Sequence, residues 1–102
     1  MKRTVTGTVE GTGATITIQL GFTPKAVQLF NIDGLCTLFW SENMTDAYGL
    51  KAITAGTISK ITSLGITPYT GSENTNNAGF QIGADTDVNV SGETIEYIAY
   101  RD

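Results

Sequence analysis

Residues 79–100 read GFQIGADTDVNVSGETIEYIAY. Oxygen-bearing side chains fall at Asp85, Asp87 and Asn89, with Glu96 further on. Counted from Asp85, these match much of the ligand spacing of a helix–loop–helix calcium loop. If that match held, helices would flank the loop. Three features argue against it. Val90 stands where the calcium loop needs glycine for its sharp turn. Phe80 to Ile82 and Thr94 to Tyr100 are rich in β-branched and aromatic residues, so both flanks read as strands. Glu96 then lies within a strand instead of opening an exit helix. The stretch reads as strand, polar turn, strand. Asp and Asn side chains bond to nearby backbone, and Gly92 supplies a positive φ. A looser calcium site made by Asp85, Asp87 and Asn89 in a β-loop is the alternative. The expectation is that no metal and no other cofactor is bound.

The same β texture extends back along the chain. Thr4 to Glu10 alternates, with Val5, Gly7 and Val9 on one face and threonines on the other. Ala14 to Leu20 alternates likewise, with Ile16, Ile18 and Leu20 inward. With Gly11-Thr12-Gly13 between them, the two runs are predicted to form a hairpin with one wet face. Pro24 cannot donate to a ladder, so the next strand starts at or after it. It spans Lys25 to Ile32, turns at Asn31 to Gly34 and returns as Leu35 to Ser41. Val27 and Leu29 mark one face, and Phe30 and Ile32 the other. Cys36, Leu38 and Trp40 share a face opposite Leu35 and Phe39. Apolar residues on both faces predict that both are covered.

Beyond Ser41, Met44, Ala47 and Tyr48 have helical spacing, although Gly49 and the short length favour a loop. Strand texture resumes over Ala52 to Gly65, over Ile66 to Tyr69 (interrupted by Pro68), over Gly79 to Gly83 and over Thr94 to Tyr100. TGSENTNNA, residues 70–78, reads as a polar loop. About seven to eight short strands with this spacing are typical of an all-β sandwich or barrel, and the fold expected here is an antiparallel β-sandwich of jelly-roll-like type. The 102 residues suffice for a single sandwich domain over 1–102, with residues 1–8 as a candidate N-terminal arm.

Composition narrows the function classes. Only 16% of residues are charged, against about 25% in ordinary soluble domains, so Thr, Ser, Asn and Gly must form much of the surface. Such a surface suits burial against a partner. The six basic residues are scattered within a net charge of −4, so no basic stripe could follow a phosphate backbone and no nucleic-acid partner is expected. No apolar run is long enough to span a membrane, and none is expected to be bound. Histidine is absent, which removes the commonest general base, and Cys36 is alone, so no thiol–imidazole pair exists. Carboxylate pairs such as Glu42/Asp46 and Glu93/Glu96 are of a kind that any acidic β-protein carries. No enzyme is expected. Aromatic residues offer a different use: Tyr48 and Tyr69, placed in loops, are candidates to stack on sugar rings. Phe30, Phe39, Trp40, Ile98 and Tyr100, placed in strands, are candidates for an oligomer interface, because so small a subunit gains by burying strand faces in neighbours.

Several stretches carry a resemblance. They are Gly21-Phe22-Thr23-Pro24-Lys25-Ala26-Val27, the region of Asn31 and Trp40, Ile61-Thr62-Ser63 with Gly65-Ile66-Thr67, Gly79-Phe80 with Ile82-Gly83, and Asp87 to Glu93 followed by Tyr97-Ile98-Ala99. Together they resemble small structural proteins of tailed-bacteriophage particles and domains of phage tail fibres. The resemblance runs from Gly21 almost to the end of the chain, and its motifs are structural. It implies a virion location, a β-sandwich and an oligomer, with a homotrimer favoured. The expected function is that of a capsid decoration (cement) protein, which binds the major capsid protein on the outer head surface and clamps the shell. Lys2, Arg3, Thr4 and Val5 are the candidate capsid contacts, since Lys2 and Arg3 are the only paired basic residues and the following strand could pair with an edge. The alternative function is a tail-fibre or receptor-binding module for cell-surface glycan, through Tyr48 and Tyr69.

Overall fold

The computed structural model describes residues 4–54, 56–69 and 78–101. They form nine strands and no helix. In chain order these are β1 (Thr4–Glu10), β2 (Ile16–Gln19), β3 (Ala26–Asn31), β4 (Cys36–Ser41), β5 (Gly49–Ala52), β6 (Ile58–Ile61), β7 (Ile66–Tyr69), β8 (Gly79–Ile82) and β9 (Thr94–Tyr100). All pairings are antiparallel. A six-stranded sheet has the order β1-β9-β3-β4-β5-β6, and a three-stranded sheet the order β2-β8-β7. The division is six and three, with a β3-to-β6 meander, in place of the four and four of a jelly roll.

Period-two alternation explains which side chains meet. In the larger sheet Val27, Leu29, Leu38, Trp40, Ile95 and Ala99 point inward. In the smaller sheet Ile66, Phe80 and Ile82 do so, and all join one core. The Phe80 ring meets Tyr97 edge-on across the two sheets, with centroids 5.6 Å apart. Two sheets sharing one core are consistent with a β-sandwich. Pro68 sits on β7, an edge strand, where its missing N–H breaks no ladder on the open side.

The expected β1–β2 hairpin does not form. β1 pairs along its length with β9, and β2 pairs with β8 in the other sheet. The chain crosses between sheets at Gly11. That residue donates to Glu93 O at 2.8 Å and accepts from Gly92 N at 3.0 Å. A Cβ at Gly11 would collide with the Val90 carbonyl, so only glycine lets the two backbones come this close. The helical spacing over Met44 to Tyr48 likewise yields no helix. Residues 42–48 are turns and loop, Met44 packs against the core, and β5 begins at Gly49.

Candidate functional site

The turn between β8 and β9 carries the residues that most resemble a site. Asp85 is buried, and its Oδ2 accepts hydrogen bonds from Asp87 N at 3.0 Å and Val88 N at 3.2 Å. The Lys51 ammonium lies between the two aspartates, 3.1 Å from Asp85 Oδ1 and 2.8 Å from Asp87 Oδ2. β5 puts it there. Lys51 pairs with the inward-facing Leu38, so its side chain runs under the sheet instead of into solvent. Burial is the largest single influence on Lys51 and lowers its pKa. The hydrogen bonds and charges of Asp87 and Asp85 together outweigh it and hold the pKa above the ordinary 10.5. Where the calcium alternative placed a metal, the protein has supplied its own cation.

Asn89 does not converge with the two aspartates. Its Oδ1 accepts from Thr12 N at 2.9 Å and Gly13 N at 3.2 Å, and its Nδ2 donates to Ala14 O and to Gly83 O. It takes the place of the missing β1–β2 turn, satisfying the crossing backbone from a residue far along the chain. Asn31 does the same from β3. Its Nδ2 donates to Val88 O at 3.1 Å and Glu93 Oε1 at 2.9 Å, and its Oδ1 accepts from Asp33 N and Gly34 N. Asn31, Asp85 and Asn89 are the buried polar residues of the described chain, and all three clamp this turn. Glu96 stands apart on the exposed face of β9. Among the described residues no group of three or more His, Cys, Asp and Glu side chains could hold a metal. Asp85 and Asp87 thus meet at the Lys51 ammonium, while Asn89 turns away to the crossing backbone, within a turn that carries Gly92 at φ 85°.

The outer face of the larger sheet is different. Phe30, Phe39, Ile98 and Tyr100 all lie on it, half-buried, as four of the five expected interface residues. The fifth, Trp40, is corrected. It is 1% exposed in the core, and its indole N–H donates to Thr45 O at 3.2 Å. Alternation with Cys36 and Leu38 turns it inward, so it is not available to a neighbour. Two residues join the face instead. Leu50, opposite Phe39, is 44% exposed, and Ile58, opposite Ala52, is 65% exposed. In the sequence alone Leu50 is unmarked, because Gly49 and the short length of its segment favour a loop there. One row across the face runs Ile98, Gln28, Phe39, Leu50, Lys60. Lys60 Nζ sits 5.8 Å from the Tyr48 ring centre. The outer face of the smaller sheet carries Thr17, Gln19, Thr67, Tyr69 and Gln81.

The remaining candidates are dispersed. The backbone of Tyr48 pairs with Ile66 at the start of β7, while Tyr69 ends that strand, about 10 Å further along. The polar loop at 70–77, Lys2 and Arg3 lie outside the described residues. Thr4 and Val5 are the first residues of β1, opposite Tyr100 and Ala99. Residues 4–8 of the expected arm are thus sheet, not a free segment. Cys36 is buried, and burial foremost pushes its thiol pKa up from 9.0, which keeps it protonated and unreactive.

Comparison with known proteins found no matching family, no matching curated protein and no matching solved structure.

Proposed function

We propose that this chain is a structural subunit of a bacteriophage particle, a capsid decoration protein that coats the outer head surface, binds the major capsid protein and stabilises the shell as an oligomer. The observation that carries this reading is the outer face of the six-stranded sheet. It leaves Phe30, Phe39, Leu50, Ile58 and Ile98 in partial contact with water on a weakly charged surface. Leaving such a face in water is unfavourable, and covering it with a protein surface lowers the free energy by about 25 cal/mol per Å² of apolar area. The polar residues that suggested chemistry are instead bonded to one another and to backbone, which favours a scaffold over an enzyme.

The test is immunogold labelling of source virions, followed by co-sedimentation of purified protein with shells lacking it. Label over the head, with saturable binding to shells, is the expected result. Label confined to the tail tip would replace this reading with glycan-binding adhesion. Absence of label would remove the virion assignment.

A further inference from the structure

Two sheets have four edges, and among the described residues three of these are short or blocked. β2, β6 and β7 have four residues each. β6 carries Lys60 and β7 carries Pro68, both familiar deterrents to pairing. β1 has seven residues, no proline and no charge before Glu10. It lacks the bulge, lysine or proline by which β-proteins protect a long edge.

The direction of its peptide groups follows from the ladder. Gly11 donates to Glu93, so the odd-numbered groups of β1 face β9 and the even-numbered ones, Thr4, Thr6, Thr8 and Glu10, face outward. An antiparallel partner must use those even positions. The strand is complementary to itself about Gly7. Under a two-fold axis there, Thr6 lies opposite Thr8 of the second copy, and Val5 opposite its Val9. Threonine meets threonine on the outer face and valine meets valine on the core side, both favourable cross-strand pairs. Glu10 lies opposite Thr4, so no like charges are directly opposed.

We propose that β1 is an assembly edge, at which two copies of this chain pair antiparallel across a two-fold axis at Gly7 and join their six-stranded sheets into one. This rests on the reading of the chain as a self-assembling subunit, and it makes the primary contact a dimer, against the trimer that the phage resemblance favours. The seam also places the two apolar outer faces side by side as one continuous surface, doubling what a capsid would meet.

The register makes the test specific. Hydrogen-bonded antiparallel partners have Cα atoms about 5.5 Å apart, within disulfide reach. Native full-length Thr6→Cys and Thr8→Cys variants, mixed under mild oxidation, should form a cross-linked species of twice the 10.8 kDa chain mass. A mixture of Thr4→Cys and Thr6→Cys, whose positions are not opposed, should cross-link at least tenfold more slowly. Thr6→Pro removes an outward N–H that β9 does not use. It should keep the fold by circular dichroism and abolish dimer in sedimentation equilibrium. Equal cross-linking in both mixtures, no cross-linking in either, or a Thr6→Pro variant that still dimerises would overturn the seam. These readouts need no capsid, so a failed shell-binding test with intact cross-linking would remove the virion reading alone.

Discussion

The turn at 83–93 and the outer face of the six-stranded sheet differ in what their side chains have left to offer. The turn is crowded with carboxylates and amides, yet the principal ones face inward and are matched. Asn89 holds two segments of backbone, Asn31 the middle and the end of the turn, and Asp85 a lysine and two amides. The sheet face mixes threonines and hydrocarbons with Gln28, Lys60 and Glu96, and its apolar atoms remain partly in water. A polar cluster is available to a ligand only in proportion to its unmet hydrogen bonds. An apolar face is available in proportion to its exposed area. By that measure the plainer region is the one able to bind.

Substitutions should separate the two regions clearly. Asn89→Ala should be the most damaging, because it strips partners from Thr12 N, Gly13 N, Ala14 O and Gly83 O at once. A loss of about 3–5 kcal/mol is expected in urea unfolding, since each buried unsatisfied group costs about 1–3 kcal/mol. A loss below about 1 kcal/mol would mean that water replaces the amide and that the clamp is incidental.

Lys51→Met should cost less, about 2–3 kcal/mol. Removing one partner of a buried pair costs about 3–5 kcal/mol, but Asp87 remains half in water. The effect carries a pH signature. A lysine whose folded pKa is raised contributes its full stability below the unfolded value of 10.5 and loses it as pH climbs through the folded one. The gap between wild type and Lys51→Met should therefore be constant at neutral pH and close above pH 10.5. A gap independent of pH would assign the effect to packing.

On the outer face, Ile58→Thr and Leu50→Ser should change stability by no more than about 0.5 kcal/mol, as exposed substitutions do, while weakening shell binding in co-sedimentation. If either lowers the melting temperature by many degrees, the face is part of the fold and not a contact surface. Calcium should do least. Neither the ion nor a chelator should move the melting midpoint, because the Lys51 ammonium already occupies the space between Asp85 and Asp87. A rise in the midpoint with calcium would show that the lysine can be displaced.

Much of the fold was legible in short-range pattern. β1 and β9 have the bounds the alternation predicted, and the inward sets Val27/Leu29, Cys36/Leu38/Trp40 and Ile95/Tyr97/Ala99 follow from period two alone. What escaped was long-range. Gly11-Thr12-Gly13 resembles a hairpin turn, and nothing local reveals that Asn89 will satisfy it. Trp40 has the size of an interface anchor, but its alternation with Cys36 and Leu38 places it inside. Lys51 was unremarked because an inward lysine is improbable until its two aspartates are known to lie beside it. A buried cation needs counter-charges, and the spacing of Asp85 and Asp87 was the available signal.

The crossing at Gly11 also governs the order of folding. The amides of Thr12 and Gly13 find their acceptor 77 and 76 residues away, and β1 has no partner until β9 exists. On a ribosome the β3–β6 meander can assemble from neighbours in the sequence, but the first strand must wait for the last. Sheets that close through such distant contacts fold on a scale of about milliseconds to seconds. Throughout that wait, β1 is an unprotected ribbon of threonine and valine beside other nascent copies, where chaperone capture or premature pairing would set the yield of native protein.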